Sequence, residues 1–158
     1  MSDVGAYTDV IGVFSSTSAN ETEALGRHMA EAFLIDPTLP HFVALYGDLG
    51  VGKTAFVRGF ASALAPVARV KSPTFALVNE YRGHPLSVFH FDMYRIEDED
   101  ALYSIGFYDY FDRPGICLVE WSENIEYALP DRYVQVALCK DDPERPDSRR
   151  ITVTLVGE

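Results

Sequence analysis

The sequence is poor in cysteine and in basic residues, and it has no long apolar run. Its two cysteines, Cys117 and Cys139, form no CxxC or Cys/His cluster, so we expect neither a structural zinc nor a disulfide framework, and a reducing cytoplasm fits best. The 13 Lys and Arg against 24 Asp and Glu give a net charge of −11, which argues against a broad basic surface that grips nucleic acid directly. No apolar run approaches the roughly 18 residues of a membrane span, and the first residues lack the basic start and apolar core of an export signal.

The remaining composition is typical of one globular domain, which we place at residues 1–158. Apolar residues at 47% and charged residues at 23% exclude disorder as the main description. The 4 histidines are scattered along the chain and predict no metal site by themselves.

The first half of the sequence reads as strand, helix, strand, helix. An apolar stretch at residues 10–14 predicts a strand, and Ser18 with Glu21 forms a capping box before a helix that should end ahead of Pro37. Residues 41–46, HFVALY, form the continuous apolar run of a strand that is covered on both faces. A glycine-rich turn and a second amphipathic helix follow, and Pro66 stops that helix.

The second half is richer in strands. Residues 75–81 and 86–91 predict a hairpin, residues 97–100 open a short helix, and residues 116–119 form a buried strand. Two more strands are expected at 132–138 and 151–156, separated by a polar loop at 140–150. The order of elements predicts an α/β fold of three layers, with a mixed sheet and an inserted β-hairpin.

Residues 47–54, GDLGVGKT, match the P-loop pattern G-x-x-x-x-G-K-[ST] without a mismatch. Its glycines let backbone N–H groups turn toward phosphates, and the start of the following helix adds partial positive charge. Lys53 would reach the β- and γ-phosphates, and the Thr54 hydroxyl would bind magnesium. A chance glycine-rich turn is the alternative, but the preceding buried strand and the following amphipathic helix favour a nucleotide site.

A P-loop enzyme also needs a carboxylate at the end of a neighbouring strand, and the sequence offers two. Asp92 and Glu120 each follow an apolar run, as a carboxylate on the magnesium side should. Either one alone would as readily be a solvated strand end. The segment Ser72-Pro73-Thr74 would supply a switch hydroxyl, although a plain turn explains it nearly as well.

Two further patterns have simpler explanations. Residues 112–115, DRPG, spell the D-x-x-G of a GTPase switch, but they precede a strand and no N-K-x-D segment exists, so we interpret them as a turn. A dense aromatic group is interpreted as core, with a docking face as the alternative. Its members are Phe107, Tyr108, Tyr110 and Phe111.

The motifs together resemble the TsaE (formerly YjeE) family, bacterial ATPases of tRNA threonylcarbamoyladenosine biosynthesis. GDLGVGKT, KSPTFALVNEY, HFDMYR and the stretch from IGFYDYF to ICLVEWSE occur here in the family's order. The resemblance covers residues 46–130, and the combination of four motifs is far more specific than the P-loop alone.

The resemblance implies a P-loop nucleotide-binding fold with ATP or ADP and Mg²⁺ as cofactors. Thr54 and Glu120 would bind the magnesium, Asp92 would orient the attacking water or support the metal shell, and Thr74 would act as a switch residue. Arg149 would cover the nucleotide, and Ala19 beside Ser18 would border the base. The phosphates would be wrapped by Gly50, Val51, Gly52, Lys53, Thr54 and Ala55.

One departure from the family is Ala55, where members often carry a second hydroxyl, so a phosphate contact by that side chain is lost. The C-terminal part also matches poorly.

In function, the resemblance implies slow ATP hydrolysis in isolation and association with the TsaD–TsaB pair, which modifies adenosine 37 of tRNA. Contact with tRNA would be indirect, through the complex, and the protein would be cytoplasmic with no membrane partner. A small-molecule kinase is the rival, although its arginine-rich lid would have to come from the single loop that holds Arg145, Arg149 and Arg150. A nucleotide-dependent binding module that uses hydrolysis as a timer is a second alternative.

Overall fold

The computed structural model describes residues 10–47, 51–66, 70 and 77–157, and their strands form one seven-stranded sheet in the order β1-β7-β6-β2-β5-β4-β3. The strands are β1 (Gly12–Ser16), β2 (Phe42–Tyr46), β3 (Val78–Tyr81), β4 (Ser87–Asp92), β5 (Gly115–Glu120), β6 (Tyr133–Lys140) and β7 (Arg149–Val156). The helices are α1 (Ala19–Ile35), α2 (Lys53–Leu64) and α3 (Glu99–Ser104), with 3₁₀ segments at Phe107–Asp112 and Ser122–Ala128.

The sheet is mixed, as predicted. The strand β2 runs parallel to β5 and β6, and β4 runs parallel to β5, whereas β3, β7 and β1 are antiparallel to their neighbours. The β3–β4 pair is the predicted hairpin. Because β2, β4 and β5 are parallel, their carboxyl ends meet at one edge of the sheet, where ligands of open α/β sheets bind.

Local signals explain the first helix. The Ser18 hydroxyl accepts a hydrogen bond from the Glu21 backbone N–H at 3.1 Å, and Glu21 Oε1 accepts one from the Thr17 N–H at 2.7 Å. The first bond satisfies an N–H group that the first turn leaves without a partner, and the second ties the residue before the cap to the same turn. The helix ends at Ile35, before Pro37, as the sequence predicts.

The helices α1 and α2 pack backbone to backbone at two glycines. A Cβ on Gly59 would lie 1.8 Å from the Glu23 carbonyl oxygen, and a Cβ on Gly26 would lie 2.2 Å from the Phe56 carbonyl oxygen. No side chain fits at either position without moving one helix. This close approach fixes the position of α2 and of Lys53 at its start.

Alternating residues of the central strands build two cores, one on each face of the sheet. In β5, Ile116 and Leu118 join the core beneath α1 and α2, while Cys117 and Val119 join the core beneath α3 and the 3₁₀ segments. The three predicted layers are confirmed. Cys117 and Phe107 are buried in the second core, at 3% and 0% exposure.

Several boundaries differ from the prediction. The first strand spans Gly12–Ser16 instead of residues 10–14, because it pairs with β7 and pairing, not hydrophobicity, sets its end. Strand β5 extends through Glu120, and the polar loop shortens to residues 141–148 because β6 and β7 pair as far as Lys140 and Arg149. Along the described ranges, no helix has both the length and the apolar character to cross a membrane.

Candidate nucleotide-binding site

The P-loop lysine lies at the first position of α2, directly after the turn that leaves β2. Gly52 precedes it with φ at +108°, a left-handed conformation that favours glycine. Lys53 is only 5% exposed, and its Nζ donates to the Gly47 carbonyl oxygen at 2.6 Å. The same ammonium lies 4.4 Å from the centroid of the Trp121 ring. The carbonyl and the ring thus hold a buried cation at the carboxyl end of β2.

The two predicted carboxylates lie side by side on the neighbouring strands. Asp92 and Glu120 are paired in the parallel register of β4 and β5, and the Met93 N–H donates to the Glu120 carbonyl oxygen at 3.0 Å. Glu120 is 7% exposed. Since parallel neighbours place both carboxyl groups at the same sheet edge, the structure brings together the residues that the sequence singled out separately.

The acidity of Asp92 records this crowding. Burial raises the pKa of its carboxyl group, a hydrogen bond from the Tyr94 N–H lowers it, and the Glu120 carboxylate raises it again. His90 and Lys53 also lower the pKa, but burial is the largest cause and the net shift is upward. An ionised carboxylate at this position is therefore disfavoured by its surroundings.

A buried histidine binds the second carboxylate. His90 is fully buried, and its Nε2 donates to Glu120 Oε2 across 2.5 Å. The ring's other nitrogen, Nδ1, lies 3.4 Å from the Tyr81 hydroxyl. An ionised carboxylate has no hydrogen to donate, so the imidazole is the donor, and the contact fixes how the Glu120 side chain is oriented.

From the sequence alone, the histidines are only scattered residues without a metal site, and this contact is missed. A signal existed, because residues two apart on a strand share a face. His90 is opposite Leu118 in the register of β4 and β5, so Glu120 is its diagonal neighbour on that face.

A strained turn follows Glu120. Trp121 has φ at +60°, which is unusual for a residue other than glycine. The turn is held by Ser122, whose Oγ donates to the Val119 carbonyl oxygen at 2.7 Å, and by Asn124, whose Nδ2 donates to the Met93 carbonyl oxygen at 2.9 Å. It places the Trp121 ring on Lys53 and 4.9 Å from the ring of Tyr94. No local pattern in the sequence predicts this contact between Trp121 and the P-loop lysine.

A cavity of about 220 Å³ opens beside the start of α2. Arg149, from β7, crosses to it and donates from Nε to the Val51 carbonyl oxygen at 2.9 Å. Residues from three distant parts of the chain line the cavity, namely Ser18, Ala19, Thr22, Val51, Gly52, Ala55, Asp147 and Arg149.

The predicted site residues therefore fall into three groups. Lys53, Asp92 and Glu120 lie at the carboxyl ends of β2, β4 and β5, next to Thr54 in the first turn of α2. Ala19 and Arg149 meet Val51, Gly52 and Ala55 at the cavity. Gly50 and Thr74 lie outside the described residues, so their roles stay predictions.

Comparison with known proteins agrees with this arrangement. Residues 16–151 match the family model described as threonylcarbamoyl adenosine biosynthesis protein TsaE. The tRNA threonylcarbamoyladenosine biosynthesis protein TsaE of Bacillus subtilis is 43% identical over 73% of this chain and 70% of its own. The protein of the same name from Haemophilus influenzae is 42% identical over 76% of this chain and 77% of its own.

A solved structure shows the same fold. The crystal structure of Bacillus subtilis YdiB superposes with a TM-score of 0.67 at 31% identity, covering 92% of this chain and 85% of that one. The family model matches residues 16–151, which are most of the chain, and the P-loop lysine and two carboxylates lie at one sheet edge. The chain therefore belongs to the TsaE family.

Proposed function

We propose that this protein is a magnesium-dependent P-loop ATPase that acts in tRNA threonylcarbamoyladenosine biosynthesis as an accessory to a TsaD–TsaB pair. The observation that carries the proposal is the convergence of Lys53, Asp92 and Glu120 at the ends of three parallel strands. Phosphoryl transfer needs little covalent chemistry from a protein, only positioning and stabilisation of charge, and these groups supply both. The names of the two TsaE relatives supply the pathway.

The donor set suits magnesium. Mg²⁺ prefers oxygen ligands and binds through one or two carboxylates together with phosphates and water. Thr54 and Glu120 would hold it, with Asp92 beside them as support for the metal shell or as the residue that orients water. A divalent cation would also offset the crowding that raises the pKa of the Asp92 carboxyl group. Bound there, the ion would neutralise charge on the transferring phosphoryl group.

The cavity suits the rest of the nucleotide. It adjoins Gly52 at the start of α2, and the Arg149 guanidinium lies on its rim. We assign Arg149 to cover the nucleotide and Ala19 to border the base.

The rival kinase interpretation gains no support from the arginines that would form its lid. Arg149 and Arg150 belong to β7, where both pair with β6. Arg145 faces Asp142 within its own loop, with Nε and Oδ2 3.9 Å apart.

The P-loop lysine gives the first prediction. Lys53→Ala removes the charge that faces the β- and γ-phosphates, and ATP should bind about a hundredfold more weakly, the usual value of a charged hydrogen-bond partner. Calorimetric titration with Mg-ATP measures the loss. Arg145→Ala, which also removes a cation but lies in an exposed loop, is the matched control. Unchanged affinity in a correctly folded Lys53→Ala variant would refute the ATP site.

Partner binding is tested separately. A net charge of −11 leaves few cations for phosphates, so the isolated chain should bind tRNA weakly or not at all at physiological salt. It should instead bind purified TsaD–TsaB, more tightly in one nucleotide state than in the other. Tight binding of labelled tRNA by this chain alone, or no association with the pair under any nucleotide, would contradict the accessory role.

A further inference from the structure

Exposed aromatic rings cluster on the face of the sheet opposite α1 and α2. Tyr103, Tyr127 and Phe111 are 64%, 56% and 39% exposed. The half-buried Tyr108 ring connects two of them, with its centroid 5.2 Å from that of Tyr103 and 5.9 Å from that of Phe111. We call the acidic aromatic surface these four residues together with the carboxylates of Asp98 and Glu99. Contiguous patches of exposed aromatic side chains mark interaction sites, where tyrosine in particular is enriched.

The fold does not need these rings in solvent, because other residues fill the core of this layer. Phe107 and Leu102 are fully buried beneath the surface. The Phe107 ring packs edge-to-face on Phe42 and Phe91. The two most exposed rings, those of Tyr103 and Tyr127, belong to neither core, so their exposure points to use in binding.

Negative charge surrounds the rings. Residues 97–128 contain nine Asp and Glu and a single basic residue, Arg113, so most of the net charge of −11 is concentrated in this stretch. Apart from the buried Glu120, all of these carboxylates are exposed. Arg113 is already committed, because its guanidinium binds Glu80 Oε2 at 2.5 Å and lies 4.6 Å from the Phe89 ring.

Carboxylates and phenols are interleaved within the surface. The Tyr108 hydroxyl donates to Glu99 Oε2 at 3.0 Å. Burial raises the pKa of Tyr108 to about 12, and the bond to Glu99 raises it too, so this phenol stays protonated as a donor. Burial, then the Glu99 and Asp98 carboxylates, raise the pKa of Tyr127 as well.

The surface is continuous with the nucleotide site. The 3₁₀ segment that carries Tyr127 begins at Ser122, directly after Glu120 and the Trp121 turn that contacts Lys53. Asn124 of the same segment donates to the carbonyl oxygens of Met93 and Tyr94, on the chain just beyond Asp92. A molecule seated on the surface would therefore touch the segments that position the carboxylates and the P-loop lysine.

The negative charge of the acidic aromatic surface indicates which kind of partner would bind there. A second copy of this chain would set acidic residues against acidic residues, and a nucleic acid would set phosphates against them, and both arrangements are repulsive. A protein surface with lysines or arginines around an apolar centre complements both the rings and the rim. We propose that the acidic aromatic surface is the docking site for such a basic protein surface. The inference rests on the proposed function, in which that surface belongs to the TsaD–TsaB pair.

Two double variants test the two parts of the surface. Tyr103→Ala with Tyr127→Ala removes exposed rings. Asp112→Lys with Glu126→Lys reverses exposed charges at the rim, next in sequence to Phe111 and Tyr127, and leaves in place the Asp98 cap of α3 and the Glu99–Tyr108 bond. The matched controls make the same types of change elsewhere. Leu34→Ala with Ile35→Ala removes exposed apolar side chains of α1, and Glu31→Lys with Glu144→Lys reverses exposed charges outside the surface.

The measurement is the affinity of the full-length chain for purified TsaD–TsaB at several salt concentrations, with Mg-ATP affinity measured in parallel. We expect each surface variant to bind the pair at least about tenfold more weakly, with an unchanged affinity for Mg-ATP that also reports correct folding. The charge-reversal variant should lose most of the salt dependence, since its rim no longer attracts a basic partner. Both controls should bind like the unaltered chain.

The contrary outcomes are separable. If the unaltered chain binds the pair and the surface variants bind equally well, or if the controls lose as much, the docking site is wrong and the proposed function stands. Self-association of the unaltered chain that the variants abolish would assign the surface to a second copy, and tRNA binding that they abolish would assign it to nucleic acid. Either result overturns the inference. If the unaltered chain does not bind the pair at all, the accessory role falls and the inference falls with it.

Discussion

The helical layer of α1 and α2 and the carboxyl ends of β4 and β5 are built on opposite principles. In the helical layer Gly26 and Gly59 allow backbone contact, and apolar rings such as Phe33 and Phe60 pack edge-to-face beneath. Close packing of this kind stabilises the fold. At the strand ends, a lysine and a histidine are buried, two carboxylates are neighbours, and Trp121 adopts a positive φ.

The contrast between the two regions shows where this protein gives up stability for function. Buried charges and strained backbone cost free energy and persist where activity requires them. Substitutions in the two regions should therefore have crossed effects. Changes at the strand ends should remove activity with little loss of stability, or even a gain, whereas changes between the helices should remove stability and leave the chemistry of the folded molecules intact.

The largest effect on activity is expected at the carboxylates. Glu120→Gln and Asp92→Ala should each lower magnesium-dependent ATP hydrolysis by about 10²–10³-fold, because the carboxylates act where charge develops on the transferring phosphoryl group. Glutamine keeps an oxygen that accepts from His90, so the buried imidazole retains its partner. Hydrolysis rates across a magnesium titration measure the loss. If both variants hydrolyse at the unaltered rate throughout, neither residue belongs to the site.

His90 combines features of both regions, because it is buried like a core residue but contacts Glu120 of the site. His90→Phe removes the donor to Glu120 and should lower kcat by about 10–100-fold, the usual cost of losing a partner that orients a ligand. His90→Gln, whose amide can donate, should recover part of the rate. The KM for Mg-ATP should change less than kcat. Equal losses in both variants, matched by equal losses of stability, would show that His90 serves only the fold.

A structural feature can be predicted from this sequence when its pattern depends on nearby residues, and not when it depends on distant ones. The strands, α1, α2 and the hairpin are predicted because their patterns are local, as with the Ser18 cap and the apolar run that became β2. The P-loop is predicted because its chemistry requires fixed residues at fixed spacing. Strand ends such as that of β1 shift, since they depend on a partner strand far away in sequence.

The site is only partly predictable for the same reason. Asp92 and Glu120 are identified as separate strand ends, but their pairing requires the order β2-β5-β4, which no local pattern specifies. The His90–Glu120 bond and the Trp121–Lys53 contact depend on register and on a backbone conformation that a tryptophan rarely adopts. Long-range pairing and strain lie beyond what periodicity encodes.

The helical layer gives the converse prediction. Alanine in place of a helical glycine ordinarily stabilises by about 0.5–1 kcal/mol. At Gly59, however, the new Cβ would lie 1.8 Å from the Glu23 carbonyl oxygen, so the helices must move apart. Overpacking of this kind costs about 1–3 kcal/mol. This cost should outweigh the gain from alanine, so that Gly59→Ala lowers the free energy of unfolding. Urea denaturation should show Gly59→Ala destabilised, with an unchanged kcat per folded molecule and with exposed Tyr103→Ala within about 0.5 kcal/mol of the unaltered chain. A stabilised Gly59→Ala would mean that the helices are not in close contact.

The smallest effect, and the one that most directly tests the trade of stability for function, is expected from Asp92→Asn. Burial and the Glu120 carboxylate raise the pKa of Asp92 despite the opposing hydrogen bond from Tyr94, so the folded state binds this proton more tightly than the unfolded state does. The ionised group therefore opposes folding at neutral pH, and its cost disappears as the pH falls through the raised pKa. Asparagine keeps an oxygen for the Tyr94 N–H and carries no charge. The Tm of the Asp92→Asn variant without nucleotide should exceed that of the unaltered chain by roughly 1–4 °C at pH 7. This difference should shrink as the pH is lowered. Hydrolysis should fall at the same time. A lower Tm at pH 7, or a difference that grows on acidification, would show that the Asp92 carboxylate stabilises the fold and that the strand ends do not trade stability for activity.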